Sequence, residues 1–270
     1  FASFVEVPQS QLRYLAGEQQ LVDYPSSPGR LRRFCGVCGS VAPSGSVAPS
    51  GSVTPSGSVT PSGSVASRGD IVLVPAGNLL GELGVSGGMH LFVGSRASWH
   101  VIADGLPQHE AAPPGWTSEV ERPAVPVLPS APAAEGATPG SCLCGAVSFA
   151  VSGAPARWLQ CHCSRCRRAR SAAHGSNTFY PLAQFAWRTG RELVRSYKPP
   201  EAERFTVSFC SRCGGGAPSE RENVPFVLVP AGLFDADPGS RPQAHIHVSS
   251  KAPWYTLQDG LPQFAELPPS

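Results

Sequence analysis

The chain has little net charge and very little lysine. Its 270 residues carry a formal net charge of +2 at pH 7, and only Lys198 and Lys251 among its 21 basic residues are lysines. A surface that binds nucleic acid normally concentrates positive charge on one face. The composition therefore gives no indication of a nucleic-acid partner.

Long apolar segments are also missing. The longest run, residues 224–234, is about half of the ~20 residues that a membrane helix needs. No secretory signal is recognisable, although the first residue is Phe1 rather than Met and the sequence leaves open a segment upstream of it. We therefore expect no membrane partner and, together with the cysteine pattern below, a cytoplasmic protein.

Helical periodicity is weak throughout the sequence. No segment sustains a helical apolar period over several turns. Short apolar stretches bounded by Gly and Pro are typical of strands instead. They predict strands at 146–151, 177–180, 193–197, 204–209, 226–229 and 245–248. The sequence thus predicts a mainly β fold.

The cysteines of the chain lie in tight clusters. The nine cysteines are an odd number, and each lies two or three residues from another, at positions 35, 38, 142, 144, 161, 163, 166, 210 and 213. Disulfide frameworks usually spread their cysteines over a secreted domain. The alternatives are disulfides or buried reduced thiols, but this spacing favours thiolates that bind a metal in a reducing compartment.

The two halves of the chain share repeated segments. Residues 72–77 and 227–232 both read VLVPAG, and at the same separation of 155 residues DGLPQ occurs at 104–108 and again at 259–263. Upstream, Cys35-Gly-Val-Cys38-Gly resembles Cys210-Ser-Arg-Cys213-Gly. These identities predict two copies of one unit.

The copies differ in completeness. We predict a partial copy at 1–109, which lacks the counterpart of 141–173, an Ala/Pro-rich linker at 110–138, and a complete copy at 139–266. The partial copy carries a low-complexity segment at 40–67 built on SV(A/T)PSG. A repeating β-solenoid is one interpretation, but four units without bulky residues favour a surface loop.

Seven of the cysteines lie in the complete copy. Structural zinc takes four ligands in a closed tetrahedron, whereas catalytic zinc keeps one position open beside three protein ligands. Seven thiolates therefore divide into four plus three. The compact triplet 161, 163 and 166 would bind one ion, and the pairs 142/144 and 210/213 would close the other site. The glycines after Cys144 and Cys213 permit the tight turns that such sites use.

Other polar residues near the triplet are candidates for substrate contacts. Arg165, Arg167, Arg168 and Arg170 either form a solvated surface or offset the negative charge of a zinc trithiolate and bind a carboxylate. We take Arg165 and Arg167 as substrate-binding candidates. His162 is a candidate proton shuttle. The repeated His90 and His245 are expected to be structural.

The cysteine motifs carry a family resemblance. The segments GSCLCGAVSF, CHCSRCRR, FCSRCG and VPAGLFDADPGSRPQAHIHVSSKAPWY resemble the glutathione-dependent formaldehyde-activating enzyme family, which also includes centromere protein V. The resemblance implies small antiparallel sheets around the metal. It also implies a structural zinc on Cys142, Cys144, Cys210 and Cys213 and a catalytic zinc on Cys161, Cys163 and Cys166.

The activity implied by the resemblance is addition of the glutathione thiol to formaldehyde, or the reverse carbon–sulfur cleavage. An open zinc position suits either a bound thiolate or a polarised aldehyde oxygen. The competing hypothesis is a non-catalytic zinc scaffold that binds a protein or chromatin partner. We expect the lyase-type enzyme, with a small thiol as substrate and with the two copies packed together or the chain forming a homo-oligomer.

Overall fold

Short strands joined by turns make up most of the folded chain. The computed structural model describes residues 1–27, 30–45, 71–84, 88–112 and 135–269. The strands there are β1 (Phe4–Pro8), β2 (Leu21–Ser27), β3 (Arg30–Cys35), β4 (Ser44–Gly45), β5 (Ile71–Pro75), β6 (His90–Leu91), β7 (Gln108–His109), β8 (Ala137–Ser141), β9 (Ser148–Ser152), β10 (Arg157–Cys161), β11 (Gly175–Pro181), β12 (Phe185–Thr189), β13 (Val194–Tyr197), β14 (Val207–Cys210), β15 (Phe226–Pro230) and β16 (Ala244–Ile246). The α-helix α1 covers Ser164–Arg170. The expected mainly β class is confirmed.

Most of the low-complexity segment and most of the linker lie outside these described residues. The linker was predicted to end at 138, whereas β8 begins at Ala137. Within the described ranges, no helix has the length and apolar character needed to cross a membrane.

The second half contains three small sheets. Their strand orders are β15-β11-β10-β16, β12-β9-β8 and β13-β14, and all pairs are antiparallel except β10 with β16. A core of apolar side chains lies between the first two sheets and includes the fully buried Trp158 and Tyr180. Trp99 of the first half packs edge-on against Trp158, with ring centroids 5.6 Å apart. The two halves therefore share one core.

The predicted strands all overlap observed ones, but their bounds differ, most of all at 204–209 and 245–248. Residues 204–206 precede β14, and residues 247–248 turn into a 3-10 helix at Val248–Ser250 after β16. The left-handed backbone of His247, with φ of 55°, ends the extended conformation there. The seven-residue helix α1 replaces part of the expected loop at the triplet.

The first half repeats the strand pairing of the second. The β1–β5 pair places Phe4 opposite Pro75, and β11–β15 places Asn177 opposite Pro230. The β2–β3 pair likewise has its counterpart in β13–β14. The hydrogen bond between His90 and Asp104 also has a counterpart, formed between His245 and Asp259. Corresponding parts of the two halves thus have the same local pairing.

The halves touch through a reciprocal contact of phenylalanine and glycine. Phe34 and Phe209 are both buried, with ring centroids 6.4 Å apart at 67°. A Cβ on Gly214 would collide with the Phe34 ring, and a Cβ on Gly39 would collide with the Phe209 ring. Each half therefore packs its phenylalanine ring against the glycine at the equivalent position of the other half. The contact is reciprocal, as at the isologous interface of a symmetric dimer.

A second contact between the halves is one-sided. A Cβ on the buried Gly77 would lie 2.6 Å from backbone atoms of Ala172 and Arg167, at the carboxyl end of α1. At Gly232, the same position in the second VLVPAG segment, a Cβ would have no described atom within 4 Å. The first half therefore supports α1, while the equivalent surface of the second half is open.

This difference gives a matched pair of substitutions. We expect Gly77→Ala to destabilise the chain by roughly 1–3 kcal/mol, because the added methyl group meets backbone that cannot rotate away. Gly232→Ala should change the free energy of unfolding by no more than about 0.5 kcal/mol. Urea unfolding of the full chain measures both. Equal effects at the two positions would show that Gly77 does not support α1.

Candidate metal centre

Four cysteine sulfurs converge inside the second half. Cys142 and Cys144 lie in the turn between β8 and β9, whereas Cys210 ends β14 and Cys213 follows in the next turn. The four Sγ atoms lie within 4.8 Å of one another, and all four residues are buried. This arrangement joins two segments that are far apart in the sequence, as the motifs predicted.

The turns after both pairs have the predicted backbone form. Gly145 and Gly214 have φ of 70° and 65°, in the left-handed region that glycine adopts without strain. Their amides donate to the carbonyls of Cys142 and Cys210, at 2.8 and 2.9 Å. The amides of Val147 and Gly215 donate to sulfur, each at 3.4 Å, to Cys142 and Cys213 respectively. Amide donors of this kind stabilise thiolates.

The spacing of the four sulfurs fits a tetrahedral zinc ion. A Zn–S bond of ~2.3 Å places tetrahedral ligands about 3.8 Å apart. The Sγ of Cys144 lies 3.5 Å from that of Cys142 and 3.9 Å from that of Cys210. Hydrogen bonds from Cys142 and Cys213 lower the pKa of Cys210 to about 3. Hydrogen bonds to Cys142 and Cys210 raise the pKa of Cys213 in turn, so without a cation the group favours negative charge on Cys210 and a proton on Cys213.

The remaining three cysteines form a second group. Cys161 ends β10, Cys163 caps α1 by accepting the Cys166 amide at 3.4 Å, and Cys166 lies in the first turn of the helix. Their Sγ atoms also lie within 4.8 Å of one another. Cys163 and Cys166 are half-buried, unlike the four enclosed cysteines. Hydrogen bonds from Cys161 and Cys166 lower the pKa of Cys163 to about 2. This group is a three-sulfur donor set with partial access.

A chain of hydrogen bonds leads away from the triplet. His162 Nε2 lies 2.8 Å from His245 Nδ1, and His245 Nε2 lies 2.9 Å from Asp259 Oδ1. Sequence analysis missed Asp259, although it lies in the repeated DGLPQ segment. His162 is fully buried, and burial followed by the neighbouring His245 lowers its pKa to about 3. The ring is therefore neutral at pH 7.

The arginines beside the triplet point in different directions. Arg165 is exposed and lies 3.8 Å from the Glu201 carboxylate, whereas Arg167 is buried and its Nε has no described partner. Neither lines the cavity that opens at Cys166. That cavity has a volume of about 60 Å³, and its polar lining comes from Cys166, Arg170, Asn177, Arg204, Thr206, Ser219 and Arg221.

Cys35 and Cys38 repeat the turn but belong to neither sulfur group. The Gly39 amide donates to the Cys35 carbonyl at 2.8 Å, and Gly39 has φ of 74°. Within the described residues, the groups of three or more candidate metal ligands contain neither cysteine. The first half thus offers two thiols in ligand-like geometry without the other two.

Comparisons with known proteins concern the same part of the chain. The family described as "Glutathione-dependent formaldehyde-activating enzyme" matches residues 137–250, which contain both sulfur groups. A crystal structure of a Rhodobacter sphaeroides protein, a structural genomics target, is 25% identical and covers 38% of this chain and 97% of its own. Its TM-score of 0.30 is too low to establish a shared fold. No curated protein matches the sequence. The part of the chain that is similar to the glutathione-dependent formaldehyde-activating enzyme family is therefore the part that carries both sulfur groups.

Proposed function

We propose that the second half binds two zinc ions and forms a carbon–sulfur bond between a small thiol, such as glutathione, and formaldehyde or a related aldehyde. This is the reaction of an S-(hydroxymethyl)glutathione synthase, a carbon–sulfur lyase in reverse. The observation that carries the proposal is the pairing of an enclosed four-sulfur group with a half-buried three-sulfur group. The first suits a structural ion and the second a catalytic one with an open position.

The reaction needs no redox partner. The thiol sulfur bonds to the aldehyde carbon, the carbonyl π bond becomes a C–O single bond, and the thiol proton ends on that oxygen. Zinc held by Cys161, Cys163 and Cys166 would supply a positive centre that lowers the pKa of a bound thiol or polarises the aldehyde. The protein's contribution is to hold the two reactants together.

Asp259 acts in this proposal as a positioning residue. Its carboxylate accepts from His245 Nε2–H, which leaves His245 Nδ1 to accept from His162 Nε2–H. His162 is thereby fixed between two cysteines of the triplet. Because its pKa is about 3, His162 is too weak a base to serve as the expected proton shuttle at neutral pH.

We also propose that residues 1–109 and 139–266 are a partial and a complete copy of one unit. The equal strand registers and the reciprocal phenylalanine–glycine contact support this proposal. A reducing, cytoplasmic location is supported by the nine cysteines, all of which lie in described residues as free thiols.

The two metal sites should respond differently to loss of a ligand. We expect Cys142→Ser to abolish cooperative folding, because a structural zinc contributes folding energy directly. Cys163→Ser should lose about one equivalent of zinc and keep the fold, since its group does not join distant segments. Metal analysis and thermal unfolding by circular dichroism measure both effects. Cys35→Ser is the control and should change neither. A single zinc per chain would contradict the division.

The hydrogen-bond chain can be tested with a matched pair. Asp259→Asn should lower the rate of thiol addition by about 10–100-fold, as for partners that orient the residues of a metal site. Asp104→Asn breaks the corresponding His90 pair in the first half and should leave the rate unchanged. Zinc content is measured alongside, so that loss of metal is separated from loss of rate. Equal rates of thiol addition for both variants would show that Asp259 does not position a residue of the reaction site.

The activity itself is tested by exchange spectroscopy. Formaldehyde and glutathione interconvert with their adduct at equilibrium, and NMR measures that rate with and without protein. The zinc-loaded chain should accelerate the exchange, and Cys166→Ser should return it to the spontaneous rate because one ligand of the open site is lost. An unchanged rate across several thiols and aldehydes would instead support the non-catalytic scaffold.

A further inference from the structure

Three arginine residues contribute to the wall of the cavity beside the triplet. Arg170 comes from α1, Arg204 from the segment before β14, and Arg221 from the segment before β15, and the wall between them includes Cys166. None of the ion pairs among the described residues involves these three arginines. Three arginines from separate segments thus contribute to one cavity whose lining contains no acidic residue.

The rest of the polar lining also lacks an acidic group. Ser219 is 5% exposed, and its Oγ has no described hydrogen-bond partner. Asn177 is equally buried, and its Nδ2 donates to the Cys166 sulfur at 3.8 Å. Arg221 donates to the backbone carbonyl of Arg204, which ties two of the arginine-bearing segments together. The lining therefore offers hydrogen-bond donors to a ligand that carries hydrogen-bond acceptors.

The size of the cavity limits what it can hold. About 60 Å³ accommodates a carboxylate-sized group but not a whole tripeptide. Phe205 and Leu228 contribute apolar wall, and a less polar surrounding strengthens the attraction between an arginine and an anion. Arginine binds a planar carboxylate through two parallel hydrogen bonds. Cys166 belongs both to this cavity and to the sulfur triplet.

We propose that this cavity is the specificity subsite for a carboxylate of the thiol substrate, held by Arg170, Arg204 and Arg221 while its sulfur lies at the triplet. The placement of the sulfur rests on the function proposed above, whereas the binding of the carboxylate does not. The substrate class is then a thiol with a nearby carboxylate, and neutral thiols are poor substrates.

The test compares mercaptoacetate with its neutral methyl ester on the zinc-loaded full chain. Calorimetric titration measures binding, and NMR exchange with formaldehyde measures KM. We expect mercaptoacetate to bind about tenfold more tightly than the ester and to have a correspondingly lower KM. Arg170→Gln should remove this preference. The double variant Arg204→Gln/Arg221→Gln, which leaves α1 unchanged, should do the same if Arg170→Gln fails to fold.

Arg157→Gln is the matched control, since Arg157 is exposed at the start of β10 and lies outside the cavity. It should keep the full preference for mercaptoacetate. Inorganic phosphate serves as a second anion, and stronger arginine-dependent binding of phosphate than of mercaptoacetate would overturn the assignment to a carboxylate.

The outcomes separate the subsite from the activity. Arginine-dependent binding of mercaptoacetate without any catalysed exchange would support the carboxylate subsite and contradict the proposed thiol-addition activity. Catalysed exchange with equal KM for the acid and the ester would keep the function and overturn the subsite. A preference that survives in both arginine variants would also overturn it.

Discussion

The convergence of four cysteine sulfurs in the second half is the constraint on which the remaining structure depends. Cys142 and Cys144 lie at the start of that domain, while Cys210 ends its seventh strand, β14, and Cys213 follows it. Their sulfurs sit in a cluster with Val147 that Trp187 and Leu193 cover. Four buried thiolates would repel one another strongly, so the geometry is stable only with protons or a cation among them. A small domain with thin sheets gains a crosslink there that its apolar core does not supply.

The first half packs against the cysteine-bearing turns of the second half. Gly39 and Gly214 occupy the same place in the two CxxC turns, and each accepts a phenylalanine ring from the opposite half. In addition, Gly77 of the first half packs against the carboxyl end of α1, the helix that carries Cys166. A segment with no complete sulfur group of its own therefore shapes the surroundings of both groups in the other half.

Much of the metal centre was predictable from the sequence because ligand spacing is a local property. Cysteines two or three residues apart must lie close together, and the glycine after each pair indicates the turn. The helix α1 was not predictable from apolar periodicity, since seven residues span only about two turns. It begins instead with a cap by Cys163, a residue already assigned to metal binding.

The arginine-lined cavity was beyond sequence analysis for a different reason. Arg170 is close to the triplet in sequence, but Arg204 and Arg221 reach the same cavity only through the folding of β11, β14 and β15. Neighbours in sequence can also diverge, as Arg165 and Arg167 do on a helix where successive side chains point about 100° apart. The pairing of His245 with Asp259 likewise depends on a turn that the repeated motif did not specify.

The reciprocal ring contact also has a kinetic consequence. Phe34 is completely buried against Gly214, which directly follows Cys213. The backbone of that turn cannot swing outward while the ring of the first half covers it. Release of an ion through the Cys210/Cys213 turn would therefore require the halves to separate at this contact. A chelator acting by that route would sample the opening rate of the interface rather than the strength of the metal–sulfur bonds.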